Sequence, residues 1–106
     1  MIQGDVCLYT FKEPDKRRPV LILTRNAAIP NLTSVTVAQI TTTIRHLDSF
    51  VWLNESDGMR LECAVNLDTI QTLPKEKVGK IIAHLSPERM REVRTAIEFV
   101  FDFKNL

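Results

Sequence analysis

Glycine is scarce, at 3 residues in the whole chain. Long flexible linkers and glycine-rich phosphate loops are therefore not expected. Cysteine is almost as rare: Cys7 and Cys63 stand far apart and form no CxxC pair. They read as small buried hydrophobes rather than as zinc ligands or a disulfide. No cluster of His, Cys and carboxylate has metal-ligand spacing, and HExxH and GxSxG are both missing. Neither a metal, a cofactor nor Ser-His-Asp chemistry is expected. No apolar run approaches the ~18 residues that a membrane span needs. The opening MIQGDVCLYT lacks the basic-then-apolar layout of a secretory leader. A cytoplasmic protein without a membrane segment is the expectation.

What is present fits one domain over residues 1–106, with 44% hydrophobic and 25% charged residues. Val6 to Phe11 is apolar on both alternating faces, as a central strand would be. Lys12 to Lys16, with Pro14 and Asp15, predicts a turn. Val20 to Thr24 predicts a second strand, and Asn26 to Ser34 an irregular loop. Val35 to Thr41 is rich in β-branched residues and predicts a third strand. Phe50 to Leu53 is a short fourth, and Asp57-Gly58 marks a turn. Residues 63–67 and 69–73 read as two short strands or one with an irregularity. Pro74 opens a helical turn over 75–78, and 79–85 fits either a strand or a helix, with a short strand the preferred reading. Ser86-Pro87-Glu88 is a helix start. Met90, Val93, Ile97 and Val100 then recur at helical steps, ending near Phe101. The fold class predicted is mainly β with α (α+β), a small, strongly curved barrel carrying a C-terminal helix.

Charge sums to only +1, yet it is unevenly spread. Between Lys12 and Arg45 lie six bases (Lys12, Lys16, Arg17, Arg18, Arg25, Arg45) and two acids (Glu13, Asp15). Converging in space, these bases would make a positive site on a neutral protein; dispersed, they are ordinary solvated side chains. Arg18 precedes the second strand, and Thr41, Thr42 and Thr43 close the third. If those strands are antiparallel neighbours, Arg18 and Thr41 meet at one rim. A guanidinium fork and a hydroxyl can together hold a phosphate. From this pattern alone, a surface arginine and β-forming threonines remain the simpler reading.

The order of short motifs adds to this. Gly4-Asp5-Val6 opens the chain. Arg18-Pro19-Val20-Leu21 follows, then Asn26 and Asn31, then Val35-Thr36-Val37-Ala38-Gln39-Ile40-Thr41. Asp57-Gly58 leads to Cys63-Ala64-Val65-Asn66-Leu67-Asp68-Thr69-Ile70-Gln71-Thr72-Leu73-Pro74-Lys75, and Leu85 to Met90 enters the last helix. Taken together, and almost end to end, this resembles a MazF/PemK-type toxin, a ribosome-independent mRNA interferase. The resemblance implies an SH3-like barrel of the CcdB/PemK-like toxin fold and a homodimer. It implies metal-free, sequence-specific cleavage of single-stranded RNA, arrest of translation and growth, and a cognate antitoxin that blocks the RNA groove. It carries over two catalytic positions, Arg18 and Thr41. Family members often have a longer, Gly-rich first loop with an acidic residue before the Arg-Pro pair. Here the link from Phe11 to Arg18 is short and Gly-free, with Glu13 and Asp15 the acids at hand, so the RNA sequence recognised stays open.

Metal-free cleavage uses the neighbouring 2′-hydroxyl to attack the phosphate, giving a 2′,3′-cyclic phosphate and a 5′-hydroxyl end. Arg18 and Thr41 suit stabilisation of the charge that builds on phosphate oxygens. Arginine is a poor proton acceptor near neutrality. Histidine is the side chain suited to acid–base work near neutrality, which makes His46 a candidate acid or base, although a solvated loop histidine is the simpler reading. Lys16, Arg17, Arg25, Thr42 and Arg45 are candidate RNA contacts. Phe50 and Trp52 share a strand face and could stack bases; core or dimer packing is the simpler reading, as for Phe99, Phe101 and Phe103. The competing readings are a non-enzymatic toxin of the same fold that binds a protein target such as DNA gyrase, and a plain SH3-like binding module.

Overall fold

The computed structural model describes residues 1–12 and 17–105. Six strands form one antiparallel sheet: β1 (Asp5–Thr10), β2 (Arg17–Ile22), β3 (Ser34–Thr41), β4 (Phe50–Leu53), β5 (Cys63–Pro74) and β6 (Ile81–His84). One helix, α1 (Pro87–Phe101), follows. The strand order across the sheet is β4-β5-β3-β2-β1-β6. This is the curved β architecture with a terminal helix expected from the sequence, curled rather than closed by a strand ladder. Its two edges nevertheless approach: a Cβ on Gly58, just after β4, would stand 3.2 Å from the Ala83 Cβ of β6. Gly58 also has φ of 91°, which favours glycine.

The central strands are apolar on both faces because both are covered. One face carries Val6, Leu21, Ala38, Ile40, Val65 and Leu67, packed with Val93 and Ala96 of α1. The other carries Cys7, Val20, Ile22, Val35, Val37 and Leu73, with Tyr9 and Phe11 against them. On β4 the alternation is plain. Val51 and Leu53 are buried, whereas Trp52 is 45% exposed. Core packing is thus not where Trp52 goes, nor Phe99, Phe101 and Phe103, which are all exposed. Phe101 and Phe103 instead stack on each other with ring centroids 5.6 Å apart.

β2 differs from the sequence reading, and β5 takes one of the two forms that reading allowed. β2 begins at Arg17 and ends at Ile22, because the β1 hairpin pairs Thr10 with Arg17 and Tyr9 with Arg18. Arg18 is therefore within the strand rather than before it. β5 is a single strand with an irregularity. Ala38 pairs with Ile70, but its neighbour Gln39 pairs with Asn66. The three residues between are held locally: Asn66 Oδ1 accepts from the Asp68 N–H, and Thr69 Oγ1 donates to the Asn66 carbonyl. Such an insertion bends the strand and helps the sheet curl.

Helix α1 starts as its sequence directs. The Ser86 hydroxyl accepts from the Arg89 N–H at 3.1 Å, with Pro87 in the first turn. The helix is tied to the end of β4 by Arg89, whose guanidinium donates to both oxygens of Asp57 at 2.9 and 3.2 Å. At the other edge, the buried Asp5 carboxylate accepts from the Ile2 N–H and lies 2.9 Å from His84 Nδ1.

Candidate active site

The β2–β3 ladder pairs Ile22 with Val37, Leu21 with Ala38 and Val20 with Gln39. It stops at Pro19, which has no N–H to give. Two residues further in the same register stand Arg18 and Thr41. Opposed residues on antiparallel strands lie about 4.5–5.5 Å apart between Cα atoms and share a face. Continued past the end of the ladder, that register would bring Arg18 and Thr41 together at one end of the sheet, on the face that carries Cys7 and Val20.

The row continues in both directions. Tyr9 pairs with Arg18 on the β1 side. Thr41 pairs with Ala64, and Ala64 pairs with Trp52. Tyr9 and Arg18 form one piece of this row and Thr41, Ala64 and Trp52 the other, and the β2–β3 register continued past its ladder would join them into one line across five strands. Sequence reasoning had no way to single out Tyr9. Its signal lies in the pairing of β1 with β2, which no local sequence pattern displays.

Arg18 is exposed and makes no ion pair among the described residues. Thr41 is half-buried, and its Oγ1 accepts from the Thr43 N–H at 3.0 Å. That bond fixes the oxygen and leaves the hydroxyl hydrogen free to donate. Side by side, the fork and the hydroxyl can bind one phosphate through charge-assisted hydrogen bonds. Neither residue lines the groove of about 550 Å³ between β4 and α1 or that of about 590 Å³ around Arg25.

The other candidates are placed unevenly. Thr42 is exposed beside Thr41, at the start of the loop that joins β3 to β4. Arg45 and His46 lie in that loop and fold onto Trp52. The Trp52 indole N–H donates to the Arg45 carbonyl at 3.4 Å, and the His46 and Trp52 rings meet edge to face with centroids 4.9 Å apart. Arg17 is exposed at the start of β2 and, by alternation, faces away from Arg18. Arg25 stands beyond the other end of β2, in a groove with Thr24, Thr36 and Thr72. At the rise of a strand it is about 20 Å from Arg18. Lys16, like Glu13 and Asp15, lies outside the described residues.

Neither cysteine offers a nucleophile. Burial, aided by the nearby Asp5 charge, pushes the Cys7 thiol up to about 11, and burial raises Cys63 as well. Among the described residues no three His, Cys, Asp or Glu side chains are grouped to hold a metal ion. Among the described residues no helix is long and apolar enough to cross a membrane.

Comparison with known proteins gives a consistent result. The profile of the family described as "PemK-like, MazF-like toxin of type II toxin-antitoxin system" matches residues 2–101. The chain is 42% identical over 88 residues to Endoribonuclease MazF3 of Mycobacterium tuberculosis, covering 83% of this chain and 85% of that protein. Its fold matches the solved Mycobacterium tuberculosis toxin MazF-mt6 with a TM-score of 0.85 and 37% identity, over 92% and 96% of the two chains. It also matches an endoribonuclease in complex with its cognate antitoxin from a mycobacterial species, with a TM-score of 0.87 and 26% identity, over 97% and 96%.

Proposed function

Because the chain belongs to the PemK-like, MazF-like toxins of type II toxin–antitoxin systems, we propose that it is an endoribonuclease toxin that cuts single-stranded mRNA by metal-independent transesterification. Residues 1–106 act as one toxin domain. What supports this reading is the antiparallel pairing of β2 with β3, whose register, continued from Val20 and Gln39, would bring Arg18 to Thr41.

The chemistry follows from those two side chains. The 2′-hydroxyl next to the scissile phosphate loses its proton and its oxygen bonds to phosphorus. The bond from phosphorus to the 5′-oxygen breaks, and that oxygen takes up a proton. The products are a 2′,3′-cyclic phosphate and a 5′-hydroxyl. Negative charge grows on the non-bridging oxygens as the fifth bond forms. The Arg18 fork and the Thr41 hydroxyl, fixed beforehand by the sheet and by Thr43, stabilise that state more than the ground state. Arg18 serves as the charge clamp. His46, exposed in the β3–β4 loop, is the nearest imidazole to this end of the sheet by sequence and is the candidate for proton transfer. Arg17, Thr42 and Arg45, with Lys16 before them, guide the strand, and Arg25 serves RNA that runs further along β2.

The protein works in the cytoplasm, where mRNA is, as a homodimer silenced by a cognate antitoxin. The support for the antitoxin is a relative solved in complex with its own. The test is chemical. Fragments from a purified reaction should accept phosphate at their 5′ ends without prior phosphatase and carry cyclic phosphate at their 3′ ends. Fragments with 5′-phosphates would overturn the mechanism.

A further inference from the structure

Trp52 is the single tryptophan of the chain, and it is 45% exposed on a strand whose neighbouring residues, Val51 and Leu53, are buried. Exposed apolar side chains are common and need no explanation of themselves. This one differs in two ways. Its ring is held, by the bond from its N–H to the Arg45 carbonyl and by the edge-to-face contact with His46. And it stands in the same row as the phosphate clamp, with only Ala64 between it and Thr41. Two steps between adjacent strands put its backbone about 10 Å from that of Thr41. That is the reach from a phosphate to the base of an adjoining nucleotide.

From this juxtaposition we propose that Trp52, braced by His46, is the stacking platform for a nucleobase next to the scissile phosphate. It is a positioning residue, and it rests on the RNA-cleaving reading above. A base held flat on the indole fixes the strand on the far side of Thr41, while Arg18 holds the phosphate. An aromatic face accepts any base, so the platform contributes affinity and register more than sequence choice. Stacking acts on the bound strand as a whole, in ground state and transition state alike. Its loss therefore falls on KM rather than on kcat.

The lone indole supplies its own probe. Cut sites are first mapped on a long RNA. A short RNA spanning one of them, with 2′-deoxyribose at the attacking position, is then titrated into the wild-type protein. Saturation is established separately by the anisotropy of an end-labelled copy. Tryptophan emission should fall on binding, and the fall should vanish when one particular base beside the scissile bond is replaced by an abasic unit. In cleavage of the normal RNA, Trp52→Leu should raise KM by about 5- to 150-fold, the worth of one stacked base. Trp52→Phe keeps a ring beside His46 and should recover most of it, with kcat near wild type. Circular dichroism and melting curves establish that both variants fold. Unchanged emission at saturation overturns the platform. So does emission that follows protein concentration instead of RNA, which would mark a second copy covering the ring, and so does a Phe variant as impaired as the Leu one. If the wild type cuts no RNA, the nuclease reading falls, and the base-dependent quench alone decides whether Trp52 is a base site.

Discussion

Thr41 offers the sharpest contrast between a hydroxyl that works and one that merely suits a strand. Its oxygen is already engaged by the Thr43 N–H, so what it has left to give is one hydrogen. Thr41→Ser keeps that hydrogen and should cleave RNA within about tenfold of wild type. Thr41→Ala should lose about 10²–10³ in kcat, the usual cost of one oxyanion donor. Arg18→Lys keeps the charge but loses the fork, and should recover only part of what Arg18→Ala loses. Single-turnover rates on one mapped site measure all of these. Equal rates for Thr41→Ser and Thr41→Ala would mean that the hydroxyl takes no part. Single residues were also where the sequence was least legible. Arg18 and Thr41 were visible only as polar residues at strand ends, and a resemblance gave them their weight. Trp52 read as a packing residue, because composition cannot tell which side of an edge strand the core will use.

The elements were more legible, and the reasons are local. β4 ends where its apolar run ends, at Phe50 and Leu53. α1 begins at the Ser86-Pro87 signal and ends at Phe101, where Asp102 turns into the left-handed region. β2 was misplaced because its start is set by pairing with β1, which no local pattern reveals. The irregularity in β5 was seen, but not what it does. If those three residues were paired in an unbroken ladder, the register of Ala38 with Ile70 would carry Thr41 to face Leu67, and Trp52 would share no row with it. The tie between α1 and the end of β4 also has a measurable consequence. Burial pushes the Asp57 carboxyl up, but the Arg89 guanidinium and the Asn54 N–H outweigh it and hold it below its ordinary 3.8. A depressed carboxylate contributes its stability above the unfolded value and loses it as pH falls through the folded one. The wild type should therefore lose stability below about pH 4 partly through this pair, in addition to general acid effects. Asp57→Asn should cost about 1–3 kcal/mol at neutral pH, and the difference from wild type should shrink toward pH 3. Denaturant melts at several pH values measure this, and a pH-independent difference would show that the ion pair contributes nothing.

At the scale of the whole molecule, a neutral protein binds a polyanion through the placement of charge and not its amount. Arg17, Arg18 and Arg45 lie toward one end of the curled sheet, and Arg25 lies about 20 Å away at the other. Each phosphate contact on a single strand contributes about −0.7 to the slope of log affinity against log salt. Arg45→Ala should flatten that slope by about 0.7 on short RNA that spans a cut site. Arg25→Ala should do so only on RNA long enough to run the length of β2. A slope that ignores Arg45 at every length would move the RNA path elsewhere.

The central claim is that Arg18 stands in this strand to hold the scissile phosphate, with no metal needed. Its most direct test is a long single-stranded RNA incubated in excess chelator with wild type and with Arg18→Ala, each confirmed as folded, and the fragment ends mapped. Discrete cuts by the wild type, slowed by about 10²–10³ in the variant, are the result predicted. Cleavage that stops with chelator, or that survives unchanged in Arg18→Ala, would contradict the account, and no cleavage from the folded wild type would leave a toxin that acts by binding instead.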